Sequence, residues 1–226
     1  MKDKKSSERI LTALLVLLPF LILLSDSIVV LAGTTVTYNP PQRRKVTKSR
    51  TTTSGSRGCN NPSLFNAKAH LFAPEDHVGL TTSSHPTFFW YVETDSAVKV
   101  RFTLVEPGVA KPIVDLHQTV LTSGIGRLHL PQEIPQLTQG KVYRWTVALI
   151  CNPKRPSQNA YAYSFIERVP QPIHITQYLK EDDTKRASIY AQEGIWYDAL
   201  AEAYLSTSNP QQFLGMAKQI KRVSQN

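Results

Sequence analysis

Short runs of alternating apolar and polar residues fill the middle of the chain. In the run 98–105, valine, phenylalanine and leucine occupy every second position, with lysine, arginine and threonine between them. The run 141–151 repeats this alternation with tyrosine, tryptophan, valine and leucine. A period of two is typical of strands that bury one face and expose the other. The pattern predicts seven strands, at residues 68–72, 86–92, 98–105, 113–121, 126–130, 141–151 and 160–168.

The number and spacing of these strands predict the fold class. Seven short strands within about 100 residues, with no helical pattern among them, are typical of a two-sheet sandwich. The segment Leu137–Tyr143 resembles the tyrosine corner of immunoglobulin-type and fibronectin-type domains, in which a tyrosine hydroxyl bonds back to the preceding turn. We therefore expect a mainly β fold, an immunoglobulin- or fibronectin-like antiparallel β-sandwich, over residues 59–170.

The spacing of the apolar residues changes to that of a helix after residue 170. From 183 to 205, alanine, tyrosine, isoleucine, tryptophan and leucine recur every three or four positions. A second helix is predicted to begin at Asn209-Pro210, a capping residue followed by proline. Because only a short loop separates the two helices, residues 171–226 are predicted to form a C-terminal helical hairpin packed on the sandwich.

Two aromatic residues of the second predicted strand are expected on the outer face of a sheet. If Trp90 points into the core, Phe89 and Tyr91 point outward, because neighbouring residues of a strand face opposite sides. In one interpretation the hairpin covers them, since Ile195 and Trp196 need an apolar surface. In the other they form an exposed aromatic platform for a glycan or a protein partner. We favour coverage, because an amphipathic hairpin must bury its apolar stripe.

The N-terminus has the composition of a secretory signal peptide. Four cations within residues 2–9 precede fifteen uncharged residues, Ile10–Leu24, and a stretch with small residues typical of a cleavage site follows. Cleavage is expected between Ala32 and Gly33, which makes residues 1–32 a signal peptide and places the remaining chain in the periplasm or outside the cell. The alternative is an uncleaved N-terminal helix that anchors the protein in the membrane, with the fold on the periplasmic side.

The segment 33–58 carries most of the net charge. It has six Lys or Arg residues and no Asp or Glu, in a chain whose formal net charge is +9. Because it is rich in Thr, Ser and Pro and nearly devoid of large apolar side chains, it is predicted to be a disordered tether. A solvated spacer is the interpretation we favour, and a nucleic-acid partner is not expected, since only Tyr38 interleaves with the cations. The alternative is weak contact with an anionic membrane or cell-wall surface through Arg43, Arg44, Lys45, Lys48 and Arg50.

Two cysteines, Cys59 and Cys151, follow the predicted signal peptide. An even count in an exported chain predicts a disulfide, and two cysteines allow only one intramolecular pairing. Buried thiols that do not pair are the alternative. Neither cysteine has the spacing of a redox motif or of a zinc ligand set, so no metal or cofactor is predicted.

The sequence contains no motif of a common catalytic site. Its six histidines are scattered without metal-ligand spacing, and it lacks the nucleophile elbow, the phosphate-binding loop and the dinucleotide-binding motif. Asp76 and His77 are adjacent in a predicted loop, where we favour a solvated pair over the corner of a base or metal-ligand set. Two carboxylates that hydrolyse a polysaccharide would come from distant strands and leave no local motif. No catalytic residue is predicted.

Four stretches together resemble one protein family. They are Gly55–Cys59 after the basic tract, Pro86–Val92, Leu137–Cys151 and Glu193–Leu200. In this order, over about residues 43–205, they are similar to the cyanobacterial exported family catalogued as domain of unknown function 928. The resemblance implies export and implies no particular activity.

These features predict an exported, non-catalytic interaction or structural module of the cell envelope. Its partner is expected to be an unknown protein or an envelope polymer. The alternative is an envelope-polysaccharide hydrolase with carboxylates on the sandwich loops. Loops dominated by Thr, Ser, Pro and Gln, with few carboxylates, weigh against an enzyme.

Overall fold

The computed structural model describes residues 37–41, 59, 62–181, 185–207, 213–215 and 217–218. The predicted signal peptide and its Ala32–Gly33 cleavage position lie outside the described residues. No helix in the part of the chain that the structure describes is long and apolar enough to span a membrane. The cations predicted to contact an anionic surface also lie outside the described residues: Arg43, Arg44, Lys45, Lys48 and Arg50.

The strands of the described chain form two sheets that fit a β-sandwich. One sheet has the order β1-β3-β6, and the other has the order β2-β8-β7-β4-β5. Each of the seven alternating runs of the sequence lies on a strand, so the prediction of a mainly β fold is confirmed. The strands are β1 (Lys68–Leu71), β2 (Gly79–Thr81), β3 (Thr87–Glu93), β4 (Val98–Val105), β5 (Val114–Val120), β6 (Gly124–His129), β7 (Val142–Ile150) and β8 (Ala160–Arg168).

The alternation builds the hydrophobic core between the sheets. In β4, Val100, Phe102 and Leu104 are buried, whereas the residues between them are more exposed. The ring of Phe102 lies 5.7 Å from that of Trp90 and 5.9 Å from that of Trp145, measured between centroids. Burial of large aromatic and aliphatic side chains is the main favourable term in folding. The core therefore lies where the period of two places it.

A hydrogen bond closes the corner that leads into β7. The Thr138 backbone N–H donates to the Tyr143 hydroxyl over 3.0 Å. Gly140 lies between them with a φ of +76°, a left-handed conformation that glycine adopts without a Cβ clash. This is the back-bond that the Leu137–Tyr143 segment predicts.

The prediction of a purely antiparallel sandwich is wrong at one edge of the larger sheet. There β2 pairs with β8 in parallel, with Gly79 opposite Ile166 and Thr81 opposite Arg168. The other pairs between the strands named here are antiparallel. With three residues, β2 is too short to show a period of two, and it lies outside the predicted strands.

The C-terminal region is helical, but its helices differ from the predicted hairpin. They are α1 (Thr176–Glu181), α2 (Arg186–Gln192) and α3 (Trp196–Leu205), and residues 213–215 and 217–218 are also helical. The pattern predicts one helix over 183–205, whereas the structure breaks it at Gly194, whose φ is +73°. A residue in the left-handed region cannot continue a right-handed helix. As a result, α2 and α3 are two short helices that pack against each other.

These helices cover the outer face of the three-stranded sheet. Phe89 is buried, and its ring lies 5.1 Å from that of Tyr204 and 5.0 Å from that of Phe213. Tyr91 is half-buried. Trp196 is fully buried, and its indole N–H donates over 2.9 Å to the backbone carbonyl that follows β1. Coverage is therefore the correct interpretation for Phe89, and an exposed platform is the wrong one.

Residues 37–41 fall within the predicted tether, yet the structure packs them against the fold. The Tyr38 ring is fully buried, edge-on to the Trp196 ring with centroids 4.7 Å apart. The Asn39 backbone N–H donates to the Ala191 carbonyl over 3.0 Å, and its side-chain amide donates to the next carbonyl over 3.1 Å. The composition of the segment does not indicate this contact, because Tyr38 is a single large aromatic residue among mostly hydrophilic ones. We call residues 37–41 the docking segment.

A disulfide joins Cys59 to Cys151, and their Cα atoms are 4.9 Å apart. Cys59 is buried, and Cys151 directly follows β7. This is the pairing that the cysteine count predicts. The docking segment and the disulfide therefore attach both described flanks of the basic residues 42–58 to the fold.

Candidate functional site

A surface cleft of about 740 Å³ runs along helix α3. Its lining combines the loop 82–87, side chains of β3 and β6, the end of β8, and residues of α2 and α3. Its volume falls within the range of about 300–1,000 Å³ that is typical of ligand sites. We call it the polar cleft, because most of its lining is polar: Thr82, Ser83, Ser84, His85, Thr87, Arg127, His129, Arg168, Gln171, Tyr190, Asp198, Glu202 and Tyr204.

Asp198 is a buried carboxylate in the lining of the polar cleft. One oxygen accepts a hydrogen bond from the Thr81 hydroxyl over 2.8 Å. The other accepts from the backbone N–H and the hydroxyl of Thr82, over 2.6 and 2.9 Å. Burial raises the pKa of Asp198, and the hydrogen bonds oppose that rise. Because both oxygens are engaged, Asp198 fixes the start of the loop to α3.

Further hydrogen bonds hold the rest of the loop. The Ser83 N–H donates to the Thr81 hydroxyl over 3.1 Å, and the His85 N–H donates to the Ser83 hydroxyl over 3.2 Å. The His85 Nε2 donates to the Ile134 carbonyl over 2.9 Å, so its Nδ1 accepts from the Ser84 hydroxyl over 3.1 Å. The polar cleft therefore presents a prearranged row of partly exposed hydroxyl residues: Thr82, Ser83, Ser84 and Thr87.

Two arginine side chains line the polar cleft without an ion-pair partner among the described residues. The guanidinium carbon of Arg127 lies 4.9 Å from the centroid of the Tyr204 ring. Arg168 donates from Nη1 to the Leu137 carbonyl over 2.8 Å, and its buried Nε has no hydrogen-bond partner within the described chain. Since a guanidinium carries five N–H donors, both side chains retain donors for a ligand.

A second polar cluster lies beside the docking segment, with His77 buried and the Asp76 carboxylate exposed. The His77 Nδ1 donates to the Asp76 carboxylate over 2.7 Å, and the Tyr38 hydroxyl donates to the His77 Nε2 over 2.7 Å. Burial raises the pKa of Tyr38. The solvated-pair interpretation is wrong for His77, which is 5% exposed because Tyr38 covers it. Since the Tyr38 side chain is buried as well, this cluster helps to hold the docking segment on the fold.

Sequence reasoning missed the residues that build the polar cleft. Asp198 could have been noticed as a carboxylate within the otherwise apolar run Ile195–Leu200, where a buried charge needs partners. The cluster Thr81–Ser84 has the residue types that bond to nearby backbone groups. No local signal marks Arg127 or Arg168, because the pairing of distant strands and the packing of α3 bring them to the same cleft.

The fold and the site together define a disulfide-linked β-sandwich with a helical cover and a polar surface cleft. Within the described chain, no group of three or more His, Cys, Asp or Glu side chains is placed to hold a metal ion. The chain belongs to the family described as Domain of Unknown Function (DUF928), whose family model matches residues 52–222. The comparisons find no match among curated proteins and none among solved structures. The family resemblance drawn from the four sequence stretches is therefore confirmed.

Proposed function

We propose that this chain is an exported, non-catalytic interaction module of the cell envelope, and that the polar cleft binds its partner. One observation carries the proposal: a prearranged row of hydroxyls shares a cleft with two arginines that have no ion-pair partner in the described chain. A concave surface with a few convergent polar groups is the usual form of a binding site. The partner is an envelope polymer or an envelope protein.

A substitution that fills the polar cleft tests this proposal. Ala201→Trp places a large ring at a half-buried position of α3 in the cleft lining. Gln192→Trp adds the same side chain at an exposed position at the end of α2, outside that lining. In a pull-down from the native envelope, we expect Ala201→Trp to lose the retained material and Gln192→Trp to keep it, with both variants folded by circular dichroism. Equal retention by the two variants would exclude the cleft as the binding surface.

A second candidate function, a polysaccharide hydrolase, is favoured by one observation. Glu202 follows Asp198 by one helical turn, and both residues line the polar cleft. Side chains at this spacing have Cβ atoms about 5–6 Å apart, close to the separation of about 5 Å between the carboxyl groups of retaining glycosidases. The hydrogen bonds to both oxygens of Asp198 weigh against this function. Release of reducing ends from envelope polysaccharide by the wild type, abolished in Glu202→Gln, would establish the hydrolase instead of the binding module.

Export is the second part of the proposal. The predicted signal peptide over residues 1–32 would be cleaved after Ala32, leaving a periplasmic or extracellular protein of cyanobacterial source, as the family resemblance implies. The disulfide supports this location, because such bonds persist in oxidising compartments. We expect mass spectrometry of the native protein to give a chain that begins near Gly33. An intact Met1 terminus on a membrane-bound protein would show an uncleaved anchor.

The alternative to a solvated spacer is that the basic residues make a weak contact with an anionic membrane or cell-wall surface. Attachment through exposed charges weakens with salt, because the screening length is about 10 Å at 0.1 M. Replacing Arg43, Arg44 and Lys45 with glutamine should lower envelope association at low salt. Unchanged association would leave the solvated-spacer interpretation.

We also propose that the sandwich is of the immunoglobulin or fibronectin type. The hydrogen bond from Thr138 to the Tyr143 hydroxyl supports this assignment, because that back-bond is a hallmark of such domains. The parallel pairing of β2 with β8 is a local addition at one sheet edge.

A further inference from the structure

Arg127 and Arg168 give the polar cleft a place for an anion. The Tyr204 ring holds the Arg127 guanidinium by its face, which leaves the in-plane N–H groups available to a ligand. Arg168 also lines the cleft, where its Nη1 donates to the Leu137 carbonyl and its second terminal nitrogen retains donors for a ligand. Guanidinium groups match carboxylates in a planar, bidentate geometry. An anionic ligand group therefore complements this part of the cleft.

The loop and α3 add a different chemistry to the same cleft. Thr82, Ser83 and Ser84 contribute partly exposed hydroxyl oxygens, each able to accept a hydrogen bond from a ligand. The hydroxyls of Thr82 and Ser84 already donate to Asp198 and His85, so of the three only that of Ser83 is also able to donate. Glu202 contributes a carboxylate, which accepts hydrogen bonds and repels a second anion. A ligand with one anionic group and several hydroxyls on a compact unit complements both the arginines and these hydroxyl oxygens.

An acidic peptide offers a carboxylate to the arginines but few hydroxyl donors to the row of hydroxyl oxygens. The cleft also offers no apolar subsite at Phe89, which is 1% exposed beneath Tyr204. A sugar unit that bears a carboxylate has both required features. We infer that the polar cleft recognises carboxylate-bearing sugar units, so that the partner is an acidic polysaccharide. This inference rests on the proposed function and adds the class of ligand.

A pair of polymers and a pair of variants test the inference on the full-length protein. Polygalacturonate carries one carboxylate on each sugar, and its methyl ester has the same backbone without the charge. Arg127→Gln removes one of the two cleft arginines, whereas Arg144→Gln removes an exposed arginine that lies 6.0 Å from the Tyr163 ring on the other sheet. Arg144 is therefore a matched control, an arginine stacked on tyrosine outside the cleft. Polyglutamate serves as the acidic peptide.

We expect the wild type to bind polygalacturonate and to bind the ester at least about tenfold more weakly. Arg127→Gln should bind polygalacturonate about tenfold more weakly than the wild type does. A tenfold loss is what removal of one charge-assisted hydrogen bond represents. Arg144→Gln should bind like the wild type. The inference is overturned by equal binding of polymer and ester, by an equal loss in the two arginine variants, or by equal binding of polyglutamate. Thermal unfolding of each variant separates lost binding from lost folding.

The outcomes also separate this inference from the proposed function. If Ala201→Trp abolishes envelope retention but the wild type shows no preference for polygalacturonate, the ligand class is wrong and the binding cleft stands. If Ala201→Trp retains the envelope material, the proposed function fails, and the ligand class fails with it.

Discussion

At Gly194 a single residue determines two features of the fold. Its φ of +73° ends α2 and starts the turn into α3. A Cβ at this position would lie 2.7 Å from the Asn39 carbonyl oxygen and 3.1 Å from the Pro41 ring. Glycine is therefore required both for the backbone conformation and for the close approach of the docking segment.

Placing alanine in the left-handed conformation costs approximately 1–2 kcal/mol. Gly194→Ala is expected to lower the free energy of unfolding by more than this, because the docking segment must also move. Gly108→Ala is the matched control, since Gly108 has a φ of +86° but no atom within 4 Å of an added Cβ. Urea denaturation of both variants measures the difference. Equal destabilisation would mean that the contact with Asn39 contributes nothing.

Asp198 gives the stability of the protein a pH dependence of known sign. Burial raises its pKa above the ordinary value of 3.8, so the folded state binds this proton more tightly than the unfolded state. The resulting stabilisation is complete below about pH 4 and is lost as the pH rises through the folded pKa. Asp198→Asn cannot titrate. The unfolding free energy of the wild type should therefore fall relative to Asp198→Asn as the pH is raised from 4, measured by denaturation at several pH values.

Asp115 supplies a control of opposite sign. The Arg101 guanidinium, hydrogen-bonded to it over 2.7 and 2.6 Å, lowers the pKa of Asp115. Its stabilisation is present above the unfolded pKa and is lost as the pH falls through the lower folded value. Relative to Asp115→Asn, the wild type should lose stability on acidification. If the stability difference between wild type and Asn variant changed with pH in the same direction at both sites, the raised pKa of Asp198 would be contradicted.

At the scale of elements, the sequence predicts those that carry a long periodic signal. Five of the seven predicted strands bury one face, whereas β5 and β6 lie at the sheet edges and are held mainly by pairing with β4 and β3. Two elements differ from what the periodic pattern predicts. β2 has three residues and gains its place by pairing with β8, and the helix over 183–205 breaks where one positive φ accommodates the docking segment. In both places tertiary contacts override a local pattern.

The candidate site was less predictable than the fold for a related reason. The disulfide follows from counting, because two cysteines allow a single pair. The polar cleft combines side chains from β6, β8, the loop 82–87 and α3, whose proximity is decided by sheet order and helix packing. Because these residues are far apart in the chain, their proximity leaves no characteristic spacing in the sequence.

The docking segment is an element whose contribution can be measured through one residue. Tyr38 fills a buried site between Trp196 and His77. Tyr38→Ala is expected to lower the free energy of unfolding by about 3–5 kcal/mol, as for other buried large-to-small substitutions. Tyr178→Ala, at a tyrosine that is 59% exposed, should stay within about 0.5 kcal/mol of the wild type. Equal urea midpoints for Tyr38→Ala and the wild type would show that the segment is not docked in solution.

At the scale of the whole molecule, the N-terminal region is connected to the fold twice. The docking segment packs beside the turn at Gly194, and Cys59 is bonded to the end of β7. The basic residues 42–58 thus lie between two attached points and not on a free arm. Any contact they make with an anionic surface would hold the whole sandwich near that surface.

Loss of the disulfide should weaken this whole arrangement. Cys59 and Cys151 are separated by 92 positions, and the chain-entropy relation gives about 4–5 kcal/mol for a closed loop of that length. We expect the Cys59→Ser, Cys151→Ser double variant to unfold at a temperature about 8–20 °C lower, since each kcal/mol shifts the midpoint by about 2–4 °C in a domain of this size. Thermal unfolding monitored by circular dichroism measures the shift, and the wild type treated with a reductant should approach the variant. Free-thiol titration of the oxidised wild type should find neither cysteine reactive. An unchanged midpoint in the double variant would mean that the bond does not stabilise the fold and that the flank at residue 59 is held by packing alone. Two titratable thiols in the oxidised wild type would mean that the bond does not form.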